Sequence, residues 1–158
     1  MGTRSMIAVQ RYWNSPYELF YRHMDGYATG LGVELIEAMK QGLSVEEIME
    51  KVGAEPERRS VERPEDAFLK VQGDLEWIYV ICNPTDAKTI SLQILRTSCP
   101  DFWFNGAENA TDFVFSAWFS YVQYFPENYK EVMRQVERTA EITLNALAAL
   151  EKAKKAIS

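Results

Sequence analysis

The sequence predicts an α+β protein in which helices cover one face of an antiparallel sheet built from two hairpins. Short segments with alternating or continuous apolar residues are separated by proline-rich turns, which is typical of strands. The last thirty residues instead carry apolar side chains at spacings of three and four, which is typical of a long helix. The predicted order of elements is β-β-α-α-(β)-β-β-α-α, with the C-terminal helix packed on or beside the sheet.

Length and composition favour a single domain over residues 1–158. A chain of 158 residues is long enough to bury a substantial core, and 47% apolar with 25% charged residues is an ordinary globular balance. The formal net charge of −6 argues against broad nucleic-acid binding, because a surface that follows phosphates needs clustered Lys and Arg. No signal peptide precedes Gln10, and the longest apolar run, Phe113–Phe125, is too short to span a bilayer. We expect a cytoplasmic protein that does not enter membranes.

The first predicted hairpin joins Met6–Tyr12 to Tyr17–His23. Both segments are rich in residues that favour strands, and the second alternates so that every other side chain shares one face. The intervening residues, Trp13–Pro16, form the turn.

Two helices and a loop are predicted next. Residues Gly32–Gln41 carry an apolar stripe, and Ser44 with Glu47 forms a capping box that starts a second short helix. Residues 54–66 are polar and charged, which indicates a surface loop. The segment Ala67–Gln72 is a candidate for an additional strand.

The second predicted hairpin joins Leu75–Cys82 to Thr89–Thr97. Because Leu75–Cys82 is apolar on both faces, it is predicted to be a central strand. Cys82 and Cys99 are predicted to remain reduced, because the hairpin directs Cys82 towards Ile90. The next apolar run, Phe113–Phe125, fits either a helix or a strand.

The predicted C-terminal helix, Glu127–Ile157, has a length of about 45 Å at 1.5 Å per residue. That length exceeds the diameter expected of a domain of this size. The helix either lies on its own sheet or projects and packs on a partner chain. We therefore expect a homo-oligomer formed through this helix or through the aromatic stretch between Phe102 and Tyr129.

The candidate site lies between Tyr21 and Gly32, where the first predicted hairpin ends and a helix begins. His23 is the only histidine of the chain, and it could act as a general acid or base with Asp25 as the carboxylate that orients it. Tyr21 and Tyr27 could donate hydrogen bonds to a ligand, and Arg22 could bind a small anion. The structural alternative is a turn with packed tyrosines. No Ser or Cys nucleophile lies in this segment.

Gly30 and Gly32 stand where the helix begins, and free backbone N–H groups at such a position can bind an anion. The run completes neither a dinucleotide fingerprint nor a P-loop, and Glu34 would repel the anion, so the alternative is a tight loop. No cofactor is predicted. One His and two distant Cys cannot form a zinc site. Oxygen ligands for a hard cation are scattered further along, but their spacing fits helix capping better: Asp101, Asn105, Glu108, Asn109 and Asp112.

The motif Tyr21-Arg22-His23-Met24-Asp25-Gly26-Tyr27-Ala28-Thr29-Gly30-Leu31-Gly32 resembles a Y-x-H-x-D-G-Y-P-x-G-x-G element. That element follows an N-terminal strand pair in a group of small archaeal, bacterial and viral proteins. Here Ala28 replaces the usual proline, and Gly2 stands where some relatives carry a cysteine that could become an N-terminal nucleophile. A shorter similarity covers Gly73–Tyr79. The resemblance implies a site at this loop but supplies no reaction.

Two functions are compatible with these observations. The first is a binding or protein-interaction module whose site is the loop from Tyr21 to Gly32. The second is a hydrolase or nuclease-like enzyme that uses His23 and Asp25 as general acid and base.

Overall fold

The structure is a computed structural model that describes residues 3–64, 66–69, 75–86, 89–97, 113–120 and 127–157. The strands are β1 Arg4–Gln10, β2 Tyr17–Arg22, β3 Glu55–Val61, β4 Leu75–Cys82, β5 Ser91–Thr97 and β6 Phe113–Ser120. The helices are a π-helical turn Ala28–Gly32, α1 Val33–Lys40, α2 Val45–Lys51, α3 Asp66–Leu69 and α4 Tyr129–Ile157.

The six strands form one mixed sheet in the order β3-β2-β1-β4-β5-β6. The two predicted hairpins are present as the antiparallel pairs β1–β2 and β4–β5. The prediction of a purely antiparallel sheet made of two hairpins alone is wrong, because β1 and β4 run parallel and β3 and β6 extend the edges. A parallel pair is possible here because the chain crosses over between β1 and β4 through α1, α2, β3 and α3.

Both faces of the central strands β1 and β4 are buried, which confirms the prediction made for β4 from its continuous apolar run. One face packs under the π-helical turn, α1, α2 and α4, in a cluster that includes Ile7, Val9, Tyr79, Leu35, Ile48 and Met133. The opposite face carries a second cluster that includes Met6, Ala8, Ile78, Val80 and Ala67. Since Ala67 belongs to α3, the prediction that all helices lie on one face is wrong for this short helix.

Two local predictions are corrected, and one open alternative is decided. Residues 55–61, predicted as a loop, form β3, which pairs with β2 at the sheet edge. Pro56 and the left-handed Arg58 (φ 58°) are tolerated because an edge strand needs a complete ladder on only one side. Residues 66–69 form a helix and not a strand. Residues 113–120, for which helix and strand were both open, form the strand β6, while 70–72 and 121–125 lie outside the described residues.

The capping box at Ser44 is confirmed: its side chain accepts from the Glu47 N–H at 3.2 Å, and the Glu47 carboxylate accepts from the Ser44 N–H at 3.2 Å. The long C-terminal helix is also confirmed as α4. Cys82 is a free thiol whose pKa is raised by burial, and Cys99 lies outside the described residues. Among the helices that the structure describes, none combines the length and apolar character that a membrane crossing requires.

The first half of α4 packs on the sheet, and the described side chains of its second half are less buried. Met133, Val136 and Ala140 are buried in the main core. Beyond Ala140, every residue of α4 whose side chain is described is half-buried or exposed, and Ile142 and Ile157 are 60% and 88% exposed.

Candidate functional site

The predicted site is a loop that leaves β2 after Arg22 and enters the π-helical turn at Ala28. His23, Met24, Asp25 and Tyr27 are exposed in this loop. The backbone turns sharply at Asp25, which has a left-handed φ of 54°. Asp tolerates this conformation better than most residues because its short side chain can bond locally. The loop therefore presents several polar side chains on one short, bent stretch of backbone.

Gly26 is the point at which this loop is fastened to the sheet. Its N–H donates to the Thr3 carbonyl oxygen at 2.8 Å, and its own carbonyl oxygen accepts from the Tyr79 hydroxyl at 2.6 Å. A Cβ placed on Gly26 would lie 2.6 Å from the Ser5 Cβ and 2.7 Å from the Thr3 carbonyl oxygen. The glycine is therefore required by the close approach of the loop to β1.

Tyr79 is a buried phenol on the central strand β4. Burial raises its pKa well above the ordinary value of 10.0, and the negative charge of Glu137 raises it further. The hydroxyl therefore stays protonated and serves as a donor to the Gly26 carbonyl oxygen. Tyr79, in the middle of the sheet, thus fixes the backbone of the candidate site through this hydrogen bond.

The glycines at the helix start are explained by packing. A Cβ at Gly30 would lie 2.5 Å from the Asp25 carbonyl oxygen, which also accepts from the Leu31 N–H at 2.9 Å. A Cβ at Gly32 would lie 3.1 Å from the Met133 sulfur on α4. Both positions let the turn fold tightly between loop and helix, which is the alternative considered for them from the sequence.

An internal carboxylate occupies the start of the π-helical turn. The Glu137 side chain, from α4, accepts hydrogen bonds from the Thr29 N–H at 2.7 Å and from the Thr29 hydroxyl at 2.8 Å. An N–H group at a helix start favours an anion. Here the anion is supplied by the chain itself, and the contact ties α4 to the candidate site.

Arg22 is engaged by three groups of the chain. Its guanidinium pairs with Glu34 at 2.6 Å, and it donates to the carbonyl oxygens of Met24 at 2.8 Å and Val52 at 3.2 Å. The side chain is only 14% exposed. An external anion at Arg22 would have to compete with Glu34 for the same guanidinium.

The side chains of His23 and Asp25 each have a tyrosine as partner. The Tyr21 hydroxyl and His23 Nδ1 are 3.2 Å apart, and the Tyr27 hydroxyl donates to the Asp25 carboxylate at 3.2 Å. The hydrogen bond from Tyr27 to the charged carboxylate raises the pKa of the Tyr27 phenol. Each pair joins residues two positions apart, and no bond between the imidazole and the carboxylate is present within the described residues.

The contacts that organise this loop come from residues that sequence reasoning missed. Tyr79 lies 53 residues after Gly26 and Glu137 lies 108 residues after Thr29, so no local pattern links either to the loop. Across the described parts of the chain, no three carboxylate, imidazole or thiol side chains come close enough to hold a cation together. The possible oxygen ligands between Asp101 and Asp112 lie outside those parts.

Comparison of the chain with protein-family models, with curated proteins and with solved structures gave no match.

Proposed function

We propose that the protein is a binding module whose recognition surface is the loop from Tyr21 to Tyr27. The observation that carries this proposal is the contrast between side chains and backbone in the loop. His23, Met24 and Asp25 are exposed, while the peptide of Gly26 is hydrogen-bonded on both sides. A loop that is ordered before binding loses little conformational entropy when a partner arrives, and this favours affinity.

The chemistry of the loop favours a partner that offers both apolar and polar groups. Met24 is 57% exposed and supplies an adaptable apolar contact. The Tyr21–His23 and Asp25–Tyr27 pairs supply hydrogen bonds on either side of it. The resemblance of this motif to the Y-x-H-x-D-G-Y-P-x-G-x-G element is compatible with the same proposal.

Affinity purification from the cells of origin tests the proposal. The bound proteins and small molecules are compared between the wild type and a Met24→Ala/Tyr27→Ala variant, with Gln41→Ala as an exposed control outside the loop and outside α4. We expect the loop variant to recover at least about tenfold less ligand than the wild type, because truncating each interface anchor costs more than about 1 kcal/mol of binding free energy. Equal recovery by all three proteins would contradict a site at this loop.

The same experiment distinguishes binding from catalysis. A binding module returns its ligand chemically unchanged. If wild type converts the recovered small molecule and His23→Ala does not, the hydrolase alternative holds and the binding proposal fails.

We further propose that the second half of α4 mediates self-association. Ile142 and Ile157 are exposed there, beyond Ala140, which is the last buried residue among the α4 side chains that the structure describes. An exposed isoleucine on a helix gains from burial against a second apolar surface.

A further inference from the structure

Two aromatic side chains project into solvent at the turn between β1 and β2. Tyr12 is 66% exposed and Trp13 is 83% exposed. Tryptophan is highly buried on average in folded proteins, because its ring offers a large apolar area. Arg11 precedes the pair, so the segment Arg11-Tyr12-Trp13 combines the three residue types that dominate binding hot spots.

The turn that carries these rings is held by its own hydrogen bonds. The Ser15 N–H donates to the Tyr12 carbonyl oxygen at 3.0 Å, and the Ser15 hydroxyl accepts from the Tyr12 N–H at 3.1 Å. Gln10 donates to the Ser15 carbonyl oxygen at 3.0 Å, and Asn14 takes the left-handed conformation (φ 64°) that closes the turn. The aromatic pair is therefore presented on an ordered backbone.

Acidic side chains surround the base of this turn. The guanidinium of Arg11 pairs with both Glu18 and Glu46, the latter at 2.7 Å. Two carboxylates against one guanidinium leave a net negative charge beside the turn. Two exposed aromatic rings beside negatively charged carboxylates are complementary to an apolar pocket that has Lys or Arg side chains at its edge.

We propose that the Tyr12–Trp13 turn is an anchor that inserts into an apolar pocket, rimmed by Lys or Arg, on a different protein. An anionic membrane surface would be repelled by the carboxylates of Glu18 and Glu46. A second copy of this chain would bring the same acidic groups together if the turns met. Contact of the turn with any other face of a second copy would be heterologous, and such contacts form rings or open filaments.

This anchor is distinct from the recognition loop of the proposed function. The turn precedes β2 and the loop follows it, so the six-residue strand separates them by about 20 Å. The two surfaces can therefore be tested separately, and either can fail without the other.

Photocrosslinking in the cells of origin tests the anchor. The variant Trp13→p-benzoylphenylalanine places a photoreactive group in the turn, and the crosslinked species is identified by mass spectrometry. The captured protein is then purified, and its Kd is measured for the wild type and for variants. We expect one partner other than this chain, with the crosslink next to Lys or Arg residues.

The expected affinities follow from the anchoring role. Trp13→Ala should weaken binding by about thirtyfold, whereas Trp13→Phe, which keeps an aromatic ring, should weaken it less than tenfold. Glu46→Gln should weaken binding by about threefold and reduce its dependence on salt. Gln41→Ala, at an exposed position outside every surface proposed for this protein, is the control that should change nothing. An unchanged melting temperature of each variant shows that the fold is retained.

Four outcomes would overturn the proposal. They are crosslinks to lipid only, crosslinks to other copies of this chain only, the absence of any crosslink, and an affinity that Trp13→Ala leaves unchanged.

Discussion

The hydroxyl of Tyr79 donates a hydrogen bond of 2.6 Å to the carbonyl oxygen of Gly26, and this bond joins the centre of the sheet to the candidate site. Tyr79 lies on β4 between Ile7 of β1 and Ile94 of β5. The phenol is buried, so the loop backbone gains a partner that water cannot replace. The position of the exposed residues on either side of Gly26 therefore depends on a residue 53 positions away.

Tyr79→Phe should lower the free energy of unfolding by about 1–3 kcal/mol, because the carbonyl oxygen of Gly26 loses its buried donor. Urea denaturation followed by circular dichroism measures this loss. Tyr12→Phe is the control, since an exposed hydroxyl at the β1–β2 turn can be replaced with an effect of about 0.5 kcal/mol or less. Equal stability of Tyr79→Phe and wild type would show that the hydrogen bond contributes nothing.

Stability should decline at alkaline pH through the same phenol. The pKa of Tyr79 is raised by burial and by Glu137, so above pH 10.0 the unfolded chain releases a proton that the folded chain retains. The free energy of unfolding is therefore unaffected by this group below that pH, and above it falls by about 1.4 kcal/mol per pH unit. Urea denaturation between pH 8 and pH 11 should show a shallower decline for Tyr79→Phe than for wild type. If the free energy of unfolding declined equally with pH in both proteins, the Tyr79 phenol would not be the group responsible.

Gly26→Ala should destabilise the protein by about 3 kcal/mol, because the new methyl group meets Ser5 and the Thr3 backbone. Gly42→Ala is the matched control: nothing lies within 4 Å of its added Cβ, and the cost there is about 1 kcal/mol for the left-handed backbone (φ +70°). Calorimetry measures the melting temperatures of the two variants, and that of Gly26→Ala should be the lower. A smaller loss for Gly26→Ala than for Gly42→Ala would mean that β1 and the loop can separate at little cost.

The contact between Thr29 and Glu137 should appear as an energetic coupling. Glu137→Ala removes a charged acceptor and should cost about 2 kcal/mol, and Thr29→Ala should cost about 1 kcal/mol. Both substitutions remove the hydrogen bond between the Thr29 hydroxyl and the Glu137 carboxylate. The double variant should therefore be less destabilised than the sum of the two single variants. Glu141→Ala, one turn further along α4 and exposed, should stay within about 0.5 kcal/mol of wild type. Strict additivity in this double-mutant cycle would count against the contact.

Self-association through α4 should be sensitive to Ile142→Asp. The wild type should scatter light as a particle heavier than the 18.2 kDa chain at micromolar concentration, and the variant should approach the monomer mass. Gln41→Glu adds a negative charge at an exposed position outside α4 and should leave the mass unchanged. A monomeric wild type would end this proposal.

Local sequence patterns predict the elements whose hydrogen bonds are local or whose faces are uniform. The capping box of Ser44 and Glu47 and the periodicity of α4 depend on neighbours within one helical turn. The continuous apolar run of β4 indicates burial on both faces, whatever lies beside it. By contrast, the polar residues of β3 and the aromatic residues of β6 have no local signal that separates an edge strand from a loop or helix.

The sequence by itself determined the α+β composition and the strand-to-helix position of the loop from Tyr21 to Gly32. Only the tertiary structure decided that β1 and β4 lie parallel, and it thereby brought Tyr79 under Gly26 and Glu137 onto Thr29. These contacts join residues 53 and 108 positions apart. Their formation depends on the order of strands in the sheet and on the packing of α4, which a local periodicity does not encode.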